Sequence, residues 1–198
     1  MKRLMISLKV FLLFTIITGV VYPLLITGIA QIAFPVKANG SIISTNEGKA
    51  EGSALVGQAF DSVIYFSSRP SAIGYNPLPS GGSNLGLTNK KLKELVAQRR
   101  LNFIINNHLD SLAVLPPEML FSSASGLDPH ISPQSAFLQY NRVADARNFT
   151  NKQKLRLKQL IENQIEPPQF LVLGEERVNV LLLNIGLDNL ANESIENK

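Results

Sequence analysis

The chain has 198 residues, no cysteine and a formal net charge of +4, a length that suits one domain with a short appendage. The absence of cysteine excludes disulfides, thiolate metal ligands and thiol nucleophiles. Lys2, Arg3 and Lys9 account for most of the excess charge. The rest of the chain is nearly neutral, so its composition does not indicate a nucleic-acid-binding domain.

The first predicted element is an uncharged stretch from Val10 to Val36. As a helix it is long enough to cross the roughly 30 Å hydrocarbon core of a bilayer. The cations ahead of it predict residues 1–9 in the cytoplasm, a transmembrane helix over residues 10–36 and a domain over residues 37–198 outside the cell (inner) membrane. A signal peptide cleaved after Ala30 is the alternative, but the apolar run is longer than signal peptides use and continues beyond that point.

Small or polar residues recur at every fourth position of this helix, namely Thr15, Gly19, Pro23, Thr27 and Gln31. Successive members lie about 40° apart around the helix axis, so they form a slowly winding strip. Such strips let helices approach closely in lipid, which predicts packing against another membrane helix. An ordinary anchor that tolerates glycine and proline is the alternative. Pro23 should also deprive the Gly19 carbonyl of its amide partner, which kinks the helix or leaves an acceptor for a neighbour.

The segment after the membrane helix predicts short strands and a long loop. Apolar runs at Ser41–Ile43 and Ala54–Val56 predict the strands. Residues 69–86 are rich in proline and glycine and lack periodicity, which is typical of a functional or disordered loop. The pair Gly81-Gly82 in this loop does not form a standard P-loop, because the required lysine spacing is absent.

Three amphipathic helices follow, each with a capping residue at its start. They are Lys90 to about Leu109, Pro133 to about Asn148 and Asn151 to Ile165, with caps at Thr88 or Asn89, at Ser132 and at Thr150. The cations of the first helix suit a solvated face better than a nucleic-acid surface. Phe170–Leu173 predicts a buried strand, and Val178 begins a strand that could continue as a helix, with a frayed tail from Ser194. One transmembrane helix and an external α+β domain are therefore expected.

A hydroxyl, a carboxylate and an imidazole lie close together in sequence at Ser125, Asp128, His130 and Ser132. A hydrolase requires such groups to converge in space. The favoured interpretation is structural: Asp128 and His130 form a turn, and Ser132 with Pro133 begins a helix. A membrane-anchored hydrolase that uses Ser125 or Ser132 with His130 and Asp128 is the alternative. No metal site is expected, because His108 is the only other histidine.

Several long segments resemble, in the same order, those of a known family. They are TGVVYPLLITGIAQ, ANGSII, GSALVGQAF, YFSSRPSAIGYNPLPSGGSNLG, SGLDPHISPQSA and RVNVLLLN. In these segments the chain resembles KdpC, the small C subunit of the Kdp-type potassium-transporting ATPase of bacteria and archaea. The resemblance covers nearly the whole chain, and it is loose only over Ile104–Ser123 and the C-terminal tail.

The resemblance implies a single-span, non-catalytic accessory subunit of a membrane complex. Its implied partners are a potassium-selecting, channel-like subunit and a P-type ATPase subunit that hydrolyses ATP. The family is described as an assembly factor and as a catalytic chaperone that raises the ATP affinity of the ATPase subunit. No intrinsic cofactor is expected, and ATP is implied by the resemblance alone. Since a domain outside the cell has no access to ATP, we expect assembly to be the main function.

Overall fold

The computed structural model describes residues 2–44 and 49–196, and side chains up to residue 192. The chain divides into two compact units, Met1–Ser53 and Ala54–Lys198. Helices and short strands both occur, and one N-terminal helix precedes a mixed domain. The predicted α+β class is therefore confirmed.

The first unit begins with a helix that is long and apolar enough to cross a membrane. Helix α1 (Lys2–Ile16) continues through a π-helical turn (Ile17–Val21) into α2 (Tyr22–Ala33). Phe34 leaves the helical conformation with φ −140° and ψ 55°, and a short helix, α3 (Pro35–Ala38), follows it. The regular helix thus ends slightly before Val36, the last residue of the uncharged stretch.

The π turn explains how the helix accommodates Pro23. The Tyr22 N–H donates to the carbonyl of Ile17, five residues earlier, so the hydrogen-bond ladder shifts immediately ahead of the proline. Pro23 then lies in the first turn of α2, where its missing N–H removes little. The disruption expected around Gly19 takes the form of a π bulge, a frequent device at such positions.

A two-stranded antiparallel hairpin completes the first unit. Strand β1 (Ile42–Ser44) pairs with β2 (Ala50–Ser53). The strand predicted at Ala54–Val56 is wrong, because these residues form a turn. The first residue of β1 already pairs with Ser53, and Ser41 before it has φ 49°. No extended residue of β1 is left to pair with an apolar run beyond Ser53.

In its described residues, the second unit combines four α-helices and a 3-10 helix (Pro117–Met119) with a small antiparallel sheet. The helices are α4 (Lys90–Asn106), α5 (Pro133–Ala146), α6 (Asn151–Asn163) and α7 (Val180–Glu196), and the strands are β3 (His130–Ile131), β4 (Ile165–Glu166) and β5 (Arg177–Asn179). The strand order is β3-β5-β4, so Val178 in the central strand pairs with Ile131 on one side and Ile165 on the other. The chain passes from strand to helix at Val180. Helix α7 reaches Glu196 instead of fraying from Ser194, and residues 197–198 lie outside the described part.

Helices α5, α6 and α7 enclose the core against β5. The core side chains that are fully buried include Val143, Leu157, Ile161, Val178, Leu183 and Leu187. Each predicted helix begins with a side-chain cap: Asn89 for α4, Ser132 for α5, and a capping box of Thr150 with Gln153 for α6. These caps bind amides at the helix start that lack an intrahelical partner.

The buried strand predicted at Phe170–Leu173 is wrong. These residues form an exposed loop, which is closed by two backbone hydrogen bonds of 2.9 Å between Gln169 and Leu173. The apolar composition suits a strand, but Pro167-Pro168 lack the N–H groups that would extend β4 beyond Glu166. Phe170 and Leu171 also have φ values of 53° and 65°, which a strand does not allow.

Candidate functional site

Side chains from the helices bind five consecutive backbone carbonyls in the segment Val63–Ser67. In carbonyl order the donors are Arg142, Arg147, Arg142, Asn184 and Gln139, at 2.6, 2.8, 3.0, 2.9 and 3.3 Å. These donors belong to α5, its C-terminal cap and α7. Helix side chains therefore supply the hydrogen bonds that a neighbouring strand gives elsewhere, and they fix an irregular segment.

Two amide side chains bind this segment reciprocally. The Asn184 Oδ1 accepts from the Phe66 N–H at 2.9 Å, and the Gln139 Oε1 accepts from the Ser67 N–H at 2.7 Å. Each amide also donates to the carbonyl of the same residue. Phe66, Gln139 and Asn184 are almost completely buried, so these bonds form where water does not compete.

Arg142 is a buried cation held by neutral oxygens. Its residue is 6% exposed, and burial lowers its pKa. The Nε donates to the Asn107 Oδ1 at 2.8 Å and one Nη to the Gln139 Oε1 at 2.8 Å, in addition to the two carbonyls above. A buried charge is costly unless its donors are bound. The guanidinium therefore joins the end of α4, the inner face of α5 and the segment Val63–Ser67.

Asp128 forms the turn ahead of α5 and ties it to Arg69. One carboxylate oxygen lies 2.6 Å from the Arg69 Nη1, and the other accepts from the His130 N–H at 3.0 Å and lies 3.3 Å from the His130 Nδ1. Burial would raise the pKa of this carboxyl, but the hydrogen bonds from His130 and the charge of Arg69 outweigh it and lower the pKa to about 2. Asp128 is thus ionised at any physiological pH.

The hydroxyl groups near this turn are engaged in local hydrogen bonds. The Ser132 Oγ accepts from the Ser135 N–H at 3.1 Å and donates to the Ser135 Oγ, which in turn donates to Glu118 at 2.6 Å. Burial would raise the pKa of Glu118, but these hydroxyl groups lower it. The Ser125 Oγ accepts from the Leu127 N–H at 3.1 Å. Among the described contacts, His130 binds Asp128 and not a serine hydroxyl, so the structure brings no nucleophile and base together here.

Residues 69–82 pack against the segment that precedes the turn. The Gly81 N–H donates to the Ser125 carbonyl at 3.0 Å, and the Ser71 hydroxyl donates to the Gly126 carbonyl at 2.7 Å. A Cβ at Gly82 would lie only 3.1 Å from the Ala124 carbonyl oxygen. The glycines therefore permit a close approach between two loops.

Comparison with known proteins assigns the family. The model of the "K+-transporting ATPase, c chain" family matches residues 4–189. The chain is 45% identical to the potassium-transporting ATPase KdpC subunit of Leptospira interrogans, over 93% of this chain and 92% of the relative. It is 48% identical to that of Allorhizobium ampelinum (89% and 90% covered) and 43% identical to that of Mycobacterium bovis (96% and 99%). The chain belongs to the KdpC family.

Four of the six segments that carried the resemblance to KdpC meet in space. Phe66 of one segment binds Asn184 of another, and Arg69 binds Asp128 of a third. The Asn179 amide donates to the Ala54 carbonyl at 2.8 Å, which adds a fourth segment. Motifs that are far apart in this KdpC sequence therefore build one hydrogen-bonded structure.

A cavity of about 400 Å³ lies between α4 and residues 59–71, with Arg69, Arg99 and Arg142 in its lining. Each of these cations donates to a protein oxygen, as Arg99 does to the Leu120 carbonyl at 2.8 Å, whereas the buried Nε of Arg69 has no partner among the described residues. The Gly81 N–H donates to the Ser125 carbonyl, and Gly82 lies against Ala124, so this glycine pair packs on the protein. That this KdpC chain has no intrinsic nucleotide site therefore stays a prediction.

The strip predicted on the membrane helix lies on exposed surface. The Thr15 hydroxyl donates to the Phe11 carbonyl at 2.8 Å, and a Cβ at Gly19 would have no neighbouring atom within 4 Å. The Gln31 and Asn39 amides donate to each other at 3.3 and 3.4 Å. Pro23 and Thr27 are also exposed. Nearly every residue of this helix is exposed, so packing of the strip against a partner stays a prediction.

Our sequence analysis missed the residues that hold the segment Val63–Ser67, namely Gln139, Arg142, Arg147 and Asn184. One signal was present: Ser135, Gln139 and Arg142 follow a helical spacing of four and three beside the apolar stripe of α5. Polar residues at such positions in a KdpC chain indicate buried partners, but they do not say which backbone segment is bound.

Proposed function

We propose that this chain is a non-catalytic accessory subunit that assembles and stabilises a potassium-transporting P-type ATPase complex. The observation that carries the proposal is that the reactive groups around Asp128 serve a turn and a helix cap. Family membership supports a place in the complex, since the relatives are named as subunits of a potassium-transporting ATPase. The partners we propose are the potassium-selecting, channel-like subunit and the P-type ATPase subunit.

We further propose that the N-terminus lies in the cytoplasm and the domain lies outside the inner membrane. Lys2, Arg3 and Lys9 precede the span, and Lys37 is the one cation that closely follows it, which favours this orientation. Protease added to right-side-out cells should cleave the domain. Protection of the residues beyond Lys37 would reverse the orientation and make direct contact with ATP feasible.

An effect on ATP affinity, which the resemblance implies, would in this orientation act through the partner subunits. The domain would stabilise the conformation of the complex in which the ATPase subunit binds ATP more tightly. Such coupling requires only that the chain bind two conformations of its partners with different affinity. No nucleotide contact by this chain is needed.

The test of the proposed function is a chimera in which residues 2–33 are replaced by an unrelated single-pass helix. Co-expressed with the other subunits, the native chain should support recovery of the intact complex and potassium-stimulated ATP hydrolysis. The chimera should insert into the membrane. It should nevertheless support little recovery of the complex and little ATP hydrolysis, because it lacks the exposed strip. Full activity of the chimera would show that the helix is only a tether. Full activity without any form of this chain would contradict the accessory role itself.

The hydrolase alternative is tested with His130→Ala. If the chain is an accessory subunit, the His130→Ala variant should still support potassium-stimulated ATPase activity. The purified native chain should not hydrolyse ester or peptide substrates. Hydrolysis that is lost in His130→Ala and in Ser125→Ala or Ser132→Ala would establish the enzyme instead.

A further inference from the structure

The loop from Gln169 to Gly174, which we name the 169–174 loop, exposes four consecutive large apolar side chains. Phe170, Leu171, Val172 and Leu173 are 86%, 81%, 79% and 58% exposed. Single exposed apolar residues are ordinary, but contiguous apolar patches on soluble surfaces usually mark sites of interaction.

The backbone of the 169–174 loop is unfavourable for the residues it carries. Phe170 and Leu171 have φ values of 53° and 65°, a left-handed conformation that bulky residues rarely adopt. A tight turn with two positive φ values favours Asn-Gly at these positions. Two large apolar residues at these positions therefore strain the backbone and expose apolar surface to water. Such free-energy costs are typical of functional surfaces.

The charges beside the loop indicate a protein partner instead of a lipid surface. Glu175 and Glu176 follow it directly and are exposed, and Glu166 on the strand before it pairs with Arg177 at 2.9 Å. Carboxylates next to the apolar residues oppose approach to an anionic membrane surface. They favour a protein surface where an apolar recess has cationic groups at its rim.

We propose that the 169–174 loop inserts Phe170 and Leu171 into an apolar, cation-rimmed recess on another subunit of the potassium-transporting ATPase complex. This inference rests on the proposed accessory function and names the element that docks. Aromatic and aliphatic side chains that fill a pocket carry much of the binding energy in protein interfaces.

The decisive experiment is the double variant F170N/L171G in the full chain, co-expressed with the other subunits. The preferred turn residues should keep or raise the melting temperature of the chain, because they relieve the positive φ values. The same variant should reduce recovery of the complex on the purified chain by at least about tenfold, since both inserted side chains are lost. A purely structural loop would show the opposite pattern, a lower melting temperature with normal recovery.

The matched control is L112S/V114S, which removes two apolar side chains that are 86% and 81% exposed outside the loop. Recovery with this control should stay within about twofold of the native chain. An equal loss in both double variants would overturn the proposal, because recovery would then follow total apolar exposure. Normal recovery with F170N/L171G, while recovery still requires the chain, would overturn the docking role and leave the accessory function intact.

A fluorescent probe identifies the surface that the 169–174 loop contacts. The sequence has no tryptophan, so Phe170→Trp places a single indole at the tip of the loop in the full chain. Its emission should shift to the blue only when the partner subunits are added, and Leu112→Trp should not shift. Quenching by brominated lipid without partners would indicate membrane insertion. A shift that depends on the concentration of the chain alone would indicate a second copy, and either result would overturn the proposal.

Discussion

The N-terminal helix and the domain place apolar and polar groups in opposite ways. From Lys2 to Ala33 the large apolar side chains are exposed, whereas in the domain Gln139, Arg142 and Asn184 are at most 6% exposed. A helix of the first kind requires lipid or another protein around it, because its large apolar side chains are exposed. The domain instead buries polar groups and satisfies them with long-range hydrogen bonds.

The distances in sequence between hydrogen-bond partners show the same contrast. In the helix, the hydroxyls of Thr15 and Thr18 bind carbonyls four residues earlier. In the domain, Arg142 binds the Val63 carbonyl across 79 residues, and Asn184 binds Phe66 across 118 residues. The helix therefore forms from local bonds alone, while the irregular segment Val63–Ser67 depends on the whole domain. Substitutions in the two regions should differ in what they change.

The largest effect is expected for Arg142→Met, which tests whether long-range side-chain bonds fix the domain. The change leaves the Val63 and Tyr65 carbonyls and the Asn107 amide without their donor, and we expect the free energy of unfolding to fall by about 3 kcal/mol. Urea unfolding of the full chain in detergent measures this difference. Arg100→Met is the control, because its bonds to Ser111 and Ala113 are more exposed. A fall below about 1 kcal/mol for Arg142→Met would contradict the role given to this network.

The second effect is the loss of folding stability in acid, which we attribute to the turn at Asp128. Its pKa falls from 3.8 to about 2 on folding, so the ionised carboxylate stabilises the fold above pH 4, and this contribution disappears as the pH falls from about 4 to 2. With partial exposure taken into account, we expect a loss of about 1.5 kcal/mol. Asp128→Asn should lower stability at neutral pH and flatten the dependence in this range.

The control for the acid effect is Asp145→Asn. Its carboxylate pairs with Lys154 but is 63% exposed, so this variant should keep the acid dependence of the native chain. Unfolding free energies measured at several pH values compare the three proteins. Parallel plots of unfolding free energy against pH for the native chain and Asp128→Asn would show that Asp128 does not cause the acid dependence.

The third effect is the loss of the cap of α5 in Ser132→Ala. The Ser135 N–H loses its acceptor, and the Ser135 hydroxyl loses the Ser132 hydroxyl that donates to it. The free energy of unfolding should therefore fall by about 1 kcal/mol. Ser132→Thr keeps a capping hydroxyl and should restore most of it. Activity of the complex should not change, so an active-site role would be indicated if Ser132→Ala kept its melting temperature and abolished ATPase activity.

The sequence predicts those parts of the fold that rest on neighbouring residues. The uncharged stretch, the Ser132-Pro133 start of α5 and the cap at Thr150 all depend on groups within about four positions. The same local reading misplaced Phe170–Leu173, because an apolar run gives no sign of whether a partner strand exists. It also missed the contacts of Arg142, since the spacing on one helix does not reveal which distant carbonyls are bound.

The smallest effect on the chain itself, and the sharpest test of the contrast between the two regions, is expected for Gly19→Leu. Gly19 lies in the π turn, and a Cβ at this position meets no atom of the chain within 4 Å. The leucine should therefore fit the isolated helix and favour membrane insertion by a few tenths of a kcal/mol. It should nevertheless reduce co-purification with the partner subunits, because bulk on the strip prevents close approach of another helix. Leu13→Phe adds bulk away from the strip and should be tolerated. Equal recovery of the complex with both variants would show that the exposed strip does not bind a partner and that specificity lies in the domain.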